Sequence, residues 1–171
     1  MDKELDRLNS LSQTDSEAEF LKCCGSTRWA KRMTEARPFA NVEEVSSHAD
    51  RIWSSLTEQD WLQAFRAHPK IGERKAAAAQ SQQASSWSVQ EQSHAQQAAD
   101  ETKAAIAEGN RVYEDRFGFI FIICASGKSA EEILSSLNER LAHDPKTEMR
   151  IAAGEQQKIT RLRLEKLLQS G

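Results

Sequence analysis

Apolar residues recur every three or four positions along most of the chain, which is the spacing of one face of an α-helix. The clearest stripe follows Asn41, a residue type that favours the N-cap of a helix. The apolar positions of this stripe are Val42, Val45, Ala49, Ile52 and Trp53. Residues that break helices end the predicted elements, and they are Gly25, Pro38, Pro69 and Gly118. The pattern therefore predicts a succession of helices.

One apolar run lacks the helical spacing. Residues 117–127 read FGFIFIICASG, a short stretch rich in aromatic and β-branched side chains that fits either a buried strand or a buried piece of helix. A single strand cannot form a sheet, and every other predicted element is a helix. The predicted fold is therefore all-α: a single-domain helical bundle over residues 1–171, with an apolar, partly non-helical segment near residues 117–125.

A further helix start is predicted at Ser88. The stretch reads SVQEQ, and Glu91 follows the serine at the spacing of a capping box. On this interpretation a long helix runs from about Ser88 to Arg116, after the alanine- and glutamine-rich stretch Lys75–Ser86, which is part helix and part loop. A helix N-terminus also collects unpaired N–H groups, so a carboxylate-bearing ligand could bind at this start.

Composition narrows the class of partner. The chain has 171 residues, a formal net charge of −3 and 29% charged residues of both signs, so it lacks the basic balance that non-specific nucleic-acid binding requires. Its apolar runs are shorter than the roughly 18 residues of a membrane span. We expect a small-molecule partner, no nucleic acid and no membrane.

The cysteines indicate a reducing compartment. Three are present, Cys23, Cys24 and Cys124, and an odd number with an adjacent pair suits neither a disulfide framework nor a metal site. The first residues, MDKELDRLNSLS, are charged and carry no apolar signal region. The expected location is cytoplasmic. We also expect no metal and no cofactor, because phosphate-loop, flavin and nicotinamide fingerprints are missing from the sequence.

His68 is the strongest candidate for chemistry. It precedes Pro69 in the stretch RAHPKIGER, and proline disfavours the α conformation of the residue before it. The sequence thus places an imidazole, the side-chain type whose ordinary pKa lies nearest neutrality, where a helix ends. A histidine that only caps the last carbonyls of its helix explains the same pattern. The other histidines, His48, His94 and His143, fit surface positions.

Two arginines lie on different faces of the last predicted helix. Arg161 and Arg163 are two residues apart in KITRLRL, so one of them can point inward while the other points away. An inward arginine flanked by Leu162 and Leu164 requires a carboxylate or a similar acceptor. The spacing does not decide which of the two arginines faces inward.

Several of these stretches occur together, and in the same order, in one known family. In this chain they read FLKCCGSTRWAKRM, AHPKIGE, SVQEQ, NRVYEDRFGFIFIICASGKSAEEIL and EQQKITRLRL. The sequence resembles OHCU decarboxylase over nearly its whole length. That family acts on 2-oxo-4-hydroxy-4-carboxy-5-ureidoimidazoline, the last intermediate in the conversion of urate to allantoin. The chain departs from the common FGFPF of the family at Ile120, which replaces proline.

The resemblance implies an all-α, homodimeric, cofactor-independent lyase that releases CO2 and yields (S)-allantoin. It assigns catalysis to His68 and Glu91. It assigns a larger set to substrate binding, namely Pro69, Ser88, Gln92, Phe119, Ile120, Ile122, Cys124 and Arg163. Between Ile120 and Cys124 the backbone, rather than the side chains, is expected to contact the ureidoimidazoline.

The chemistry suits these residue types. His68 would act as general acid or base, and Glu91 would orient it and lie near the carboxylate that leaves. Three other interpretations stay open: an enzyme of the same fold that acts on another ureide, a plain helical bundle with a capping histidine, and a non-catalytic helical interaction module. Such a module is expected to have lost the polar set His68, Glu91, Gln92 and Arg163, and all four are present.

Overall fold

The structure, a computed structural model, describes residues 2–71, 82–92 and 99–169. Within these ranges the chain forms nine α-helices and no strand, which confirms the predicted all-α class. The helices are Lys3–Ser10 (α1), Gln13–Cys23 (α2), Thr27–Ala36 (α3), Val42–Ser55 (α4), Glu58–Arg66 (α5), Gln82–Glu91 (α6), Asp100–Phe117 (α7), Ala130–Arg140 (α8) and Pro145–Gln169 (α9).

Helix ends lie close to where the sequence predicts them. The side chain of Asn41 accepts a hydrogen bond from the N–H of Glu44 at 2.8 Å and caps α4. Gly118 ends α7 at φ 80°, in the left-handed conformation that glycine adopts without strain. Gly25 follows α2 but has no positive φ, because the chain leaves the helix at Cys24 in an extended conformation.

The long helix predicted from Ser88 to Arg116 is wrong, and so is its capping box. Ser88 lies inside α6, near its C-terminal end, and its Oγ donates to the carbonyl oxygen of Ala84 at 3.1 Å. A serine that bonds back by four residues occupies a helix interior. Since α7 is a separate helix that begins at Asp100, Ser88 offers no helix N-terminus to an anion. Of the predicted loop, residues 82–86 belong to α6 and residues 75–81 lie outside the described ranges.

Two compact units can be distinguished in the chain. The first comprises the residues up to Ala64 together with those from Gln157 onward, and the second is Phe65–Gln156. The boundaries fall inside α5 and α9. The single-domain organisation stays a prediction.

Tryptophans organise the first unit, in which α2 packs against α3 and α3 against α4. Trp29 is fully buried, meets the ring of Phe20 edge to face at 5.8 Å between centroids, and donates its Nε1–H to the carbonyl of Ala49 at 3.2 Å. Trp61 donates in the same way to the carbonyl of Trp53 at 3.0 Å. Each indole therefore buries apolar surface and also satisfies its one polar group.

The buried thiols of the first unit give a testable prediction. Burial raises the pKa of Cys23, and it raises that of Cys24 to about 11, although nearby Arg163 partly offsets both shifts. Since the thiolate is the reactive form, we expect at most one of the three cysteines, the half-buried Cys124, to react quickly with a disulfide reagent at about pH 8. All three should react after unfolding in guanidinium. Two fast thiols in the folded chain would contradict this assignment, and Cys124→Ser should remove the single fast one.

Aromatic rings also fill the second unit. Tyr113 is fully buried, and its ring centroid lies 5.7 Å from that of Phe119 and 5.3 Å from that of Phe121. α7 and α8 approach closely at Gly109, where an added Cβ would lie 2.4 Å from Cδ2 of Leu137. Through Tyr113, α7 also packs against two residues of the non-helical segment after Gly118.

Candidate active site

His68 lies just beyond the end of a helix, as its position before a proline predicts. α5 ends at Arg66, and the N–H of His68 donates to the carbonyl of Phe65 at 3.2 Å. Pro69 is buried and the imidazole is half-buried. The ring Nε2 lies 2.7 Å from Oε1 of Gln156, a fully buried residue of α9. The histidine is thus fixed both by its backbone and by a long-range side-chain contact.

The residues directly after His68 are tethered to α7. Lys70 forms an ion pair with Glu114 at 2.9 Å. The carbonyl oxygen of Ile71 accepts a bond from Nδ2 of Asn110 at 3.3 Å. Asn110 is buried, and its Oδ1 has no hydrogen-bond partner among the described residues. These contacts hold the chain on the C-terminal side of the histidine.

The segment from Gly118 to Ser129 is neither a helix nor a strand, which confirms the partly non-helical segment predicted near residues 117–125. Its residues 119–125 are buried or half-buried, whereas Gly118, Ser126 and Gly127 are exposed. Its first part is anchored by side chains, since Phe119 packs on Phe65 at 5.4 Å between ring centroids. Buried main-chain groups outside regular structure need partners. The N–H of Cys124 donates to Oε1 of Glu155 at 3.2 Å, and the carbonyl of Ile122 accepts from Arg140.

A buried ion-pair network supports this segment. Arg140 donates Nη1–H to the Ile122 carbonyl at 2.6 Å and Nε–H to Oε1 of Glu148 at 2.5 Å. Glu148 is fully buried, and it also accepts from the Tyr113 hydroxyl at 2.6 Å and from Nδ1 of His143 at 3.1 Å. One carboxylate thus accepts hydrogen bonds from three side chains. Arg140 links this network to the backbone of the predicted ligand-binding segment through its bond to the Ile122 carbonyl.

Tyr113 allows this network to be observed directly, because it is the one tyrosine of the chain. Burial raises the pKa of Tyr113 above its ordinary value, and the hydrogen bond to the Glu148 carboxylate raises it further. We expect the ultraviolet absorbance of phenolate to stay absent from the folded chain at about pH 10, where unfolded chain in urea titrates. A phenolate signal from the folded chain at that pH would contradict the buried bond.

The same shift sets the sign of a stability effect. The folded chain holds the Tyr113 proton more tightly than the unfolded chain does, so this contribution to the free energy of unfolding is complete below the unfolded pKa of about 10. It declines as the pH rises above that value. Tyr113→Phe is the control in which this alkaline decline should be weaker.

Of the S-x-x-E-Q residues, Ser88 and Glu91 lie on α6 and Gln92 directly follows it, all in the same unit as His68. Ser88 and Gln92 are both buried and are four residues apart, so they share one face of the helix end, while Glu91 is half-buried. Catalysis by Glu91 and substrate binding by Ser88 and Gln92 stay predictions.

The two C-terminal arginines differ as expected for residues on different helix faces. Arg161 has an exposed side chain that pairs with Asp50. Arg163 is only 2% exposed and donates Nη1–H to the carbonyl of Lys22 at 3.3 Å. Arg163 is therefore the inward arginine of the first unit. Its assignment to the substrate stays a prediction from the resemblance.

The extent of the family match decides how these residues are interpreted. A sequence model described as OHCU decarboxylase matches residues 9–165. The chain belongs to the OHCU decarboxylase family. The matched range contains every residue assigned above to catalysis or substrate binding, from His68 to Arg163.

Named relatives and a solved structure extend the OHCU decarboxylase match. The uric acid degradation bifunctional protein TTL of Arabidopsis thaliana is 42% identical over 88% of this chain, which spans about half (47%) of that protein. The 2-oxo-4-hydroxy-4-carboxy-5-ureidoimidazoline decarboxylase of Haloferax volcanii is 30% identical, over 95% of this chain and 92% of that protein. A solved structure described as the crystal structure of OHCU decarboxylase in the presence of (S)-allantoin has a chain that is 40% identical in sequence to this one. The two chains superpose with a TM-score of 0.76, and the match covers 88% of this chain and 96% of that chain.

Two residues that sequence reasoning missed are neighbours on α9. Glu155 accepts a hydrogen bond from the N–H of Cys124, and Gln156 contacts the ring of His68. Glu155 belongs to the C-terminal stretch that carries the OHCU decarboxylase resemblance, but nothing in that stretch gave it a role. The available signal in the sequence was spacing, because Gln156 follows Ala152 and Ala153 by four and three residues and so shares their helix face. All three residues are buried in the structure. Buried polar side chains normally form hydrogen bonds, so a hydrogen-bond partner for Gln156 is expected.

Other features of the described residues concern metal ligands, disulfides and membrane-spanning helices. Among residues 2–71, 82–92 and 99–169, no group of three or more His, Cys, Asp or Glu side chains could hold a metal ion. All three cysteines are free thiols. Within the part of this OHCU decarboxylase family member that the structure describes, no helix is both long enough and apolar enough to cross a bilayer.

Proposed function

We propose that this chain converts 2-oxo-4-hydroxy-4-carboxy-5-ureidoimidazoline into (S)-allantoin and CO2, the last step from urate to allantoin. The observation that carries the proposal is the 40% identity to an OHCU decarboxylase crystallised in the presence of (S)-allantoin, 96% of which this chain covers. Membership of the family over residues 9–165 supports the same reaction. The enzyme class is a carboxy-lyase.

The reaction suits a protein without a cofactor. When the bond between the ring carbon and its carboxylate breaks, the electron pair can enter the adjacent ring imine, so no pyridoxal or thiamine is needed as an electron sink. A proton must then be added to the carbon that bears the ureido group. The neighbouring hydroxyl loses its proton as it becomes the carbonyl of allantoin. The ring nitrogen that receives the electron pair also takes up a proton. The protein therefore has to position the ring while two protons are gained and one is lost.

His68 is the proposed proton carrier. Its half-buried ring, held at the end of α5 by Gln156, is of the type that most often serves in general acid–base catalysis. It would take the hydroxyl proton or deliver a proton to one face of the carbanion, and delivery to one face sets the (S) configuration. Glu91 is proposed to orient His68 and to disfavour the carboxylate ground state through proximity of like charges.

The remaining assignments concern binding of the ring and ureido amides. Pro69, Ser88 and Gln92 are proposed to contact the substrate with side-chain atoms. The segment from Phe119 to Cys124, including Ile120 and Ile122, is proposed to contact it with main-chain groups. The N–H of Cys124 is already donated to Glu155, so a ligand at this residue must use another of its atoms or replace that bond.

Assembly and location complete the proposal. We expect a cofactor-independent homodimer in the cytoplasm, and three free cysteines are consistent with a reducing compartment. Light scattering on the purified chain tests the dimer, for which twice the mass of one chain is the expected result. A mass equal to one chain would reject it. Extensive dialysis against a chelator should leave activity unchanged, and loss of activity would reject cofactor independence.

Circular dichroism of the product tests the reaction. The substrate, freshly generated from urate, also decays without enzyme to racemic allantoin, so loss of substrate alone is a poor readout. Added protein is expected to produce a fast rise of optical activity in the (S) sense. Racemic product at the rate seen without protein would reject the decarboxylase and favour the non-catalytic helical module.

A further inference from the structure

The ring of His68 is held from one side by Gln156. Nε2 of His68 lies 2.7 Å from Oε1 of Gln156, whose side chain is fully buried in the second unit. An amide oxygen has no hydrogen to donate, so it accepts this bond and the proton in it belongs to Nε2. In a neutral imidazole the other ring nitrogen, Nδ1, then carries the lone pair.

We propose that Gln156 is a positioning residue that holds His68 in the Nε2–H tautomer and so makes Nδ1 the atom that exchanges protons with the substrate. The proposal rests on the proposed decarboxylase function and deepens it. Assigning catalysis to His68 leaves open which ring nitrogen reacts. The contact with Gln156 bears on this choice, because it assigns the proton to Nε2 and so leaves Nδ1 as the basic nitrogen of the neutral ring.

An uncharged partner suits a histidine that must both take and give a proton. A carboxylate at the same position would stabilise the imidazolium, whereas an amide fixes the tautomer without adding charge. The carboxylate of the adjacent residue, Glu155, is directed instead to the N–H of Cys124. Two neighbouring residues of α9 therefore have different partners. The neutral amide of Gln156 contacts the ring of His68, and the carboxylate of Glu155 contacts the backbone of Cys124.

The tautomer of His68 can be measured by two-bond ¹⁵N–¹H correlation NMR on the full chain labelled with ¹⁵N-histidine. The chain has four histidines, and the signal lost in His68→Asn identifies His68. Above the titration range of the ring, the wild type is expected to show a protonated Nε2 and an unprotonated Nδ1. A protonated Nδ1 in the neutral wild-type ring would overturn the proposal.

Substitution of Gln156 extends the test to catalysis. Gln156→Leu removes the acceptor, so it is expected to mix the two tautomers and to lower kcat by about 10- to 100-fold, the range typical of residues that orient a functional histidine. KM should change by no more than about twofold, because the substrate contacts remain. Gln156→Glu keeps an acceptor and should keep the Nε2–H signature, which provides a readout even where the leucine variant fails to fold.

A matched control lies one residue further along α9. Gln157 contacts Asp50, and Gln157→Leu makes the same chemical change without reaching His68. It is expected to leave both the tautomer and kcat unchanged. Equal losses of kcat in Gln156→Leu and Gln157→Leu, with the His68 tautomer unaltered in both, would overturn the positioning role.

The NMR readout separates this proposal from the proposed function, because it does not depend on turnover. An active wild type whose Gln156→Leu variant keeps a pure Nε2–H tautomer overturns positioning and leaves the decarboxylase intact. A variant with mixed tautomers, in a chain that never forms (S)-allantoin, upholds control of the tautomer by Gln156 and overturns proton exchange with this substrate.

Discussion

Replacing His68 with asparagine is expected to lower kcat by about 10²- to 10⁴-fold, the range that a positioned general acid or base contributes. The asparagine amide is polar and fits the space of the ring, but it neither takes nor gives a proton near neutrality. Binding should be preserved, because the other proposed substrate contacts do not involve the imidazole. The measurement is the initial rate of (S)-allantoin formation by circular dichroism, together with a calorimetric Kd for (S)-allantoin.

His48→Asn is the matched control for this variant. His48 is a partly exposed histidine of α4, 4.0 Å from Glu44, and it has no assigned role. Its replacement is expected to leave the rate unchanged. Turnover near the wild-type value in His68→Asn, with normal binding, would exclude His68 from the mechanism. The tautomer set by Gln156 would then have no catalytic role.

Glu148→Leu is expected to reduce the free energy of unfolding by about 3–5 kcal/mol, because it leaves a buried cation without its partner. Arg140 is 6% exposed and bonds Glu148 at 2.5 Å, so it cannot recover solvation in place of the lost carboxylate. The Tyr113 hydroxyl loses its acceptor in the same variant. Urea unfolding followed by far-ultraviolet circular dichroism measures the loss.

A double variant separates the ion pair from its effect on the site. Arg140→Met combined with Glu148→Leu removes both charges, so much of the lost stability should return. The Ile122 carbonyl loses its donor Arg140 in this variant, so KM should rise although the chain is folded. Glu108→Gln, which breaks the exposed pair with Arg111, is the control and should leave the unfolding midpoint unchanged. A single Glu148→Leu variant as stable as the wild type would contradict the role of the network.

Local features of the fold were predictable because their causes are local. Asn41 caps α4, Gly118 ends α7, and Pro69 follows the end of α5, each through a conformational preference of one residue. Ser88 shows the limit of this reasoning. The S-x-x-E spacing also occurs within helices, and only the actual start of α6 at Gln82 shows that the serine is not a cap.

The candidate site was predictable only in part. His68 and the buried segment near residues 117–125 carry strong sequence signals, but their partners do not. Gln156 contacts a residue 88 positions away, and a preference that operates over a few residues cannot identify such a pair. The choice between Arg161 and Arg163 likewise depended on packing, since the spacing fixes only that the two arginines point in different directions.

The anchors of His68 and of the segment after Gly118 also bear on the order in which the chain becomes active. His68 and Gln156 are 88 residues apart, Cys124 and Glu155 are 31 apart, and Ile122 and Arg140 are 18 apart. Helices form from neighbouring residues within about a microsecond, whereas contacts between distant residues must wait for loops to close. During refolding the helical signal should therefore recover before turnover does. A nascent chain can hold most of its helices and still be inactive until α9 has been made.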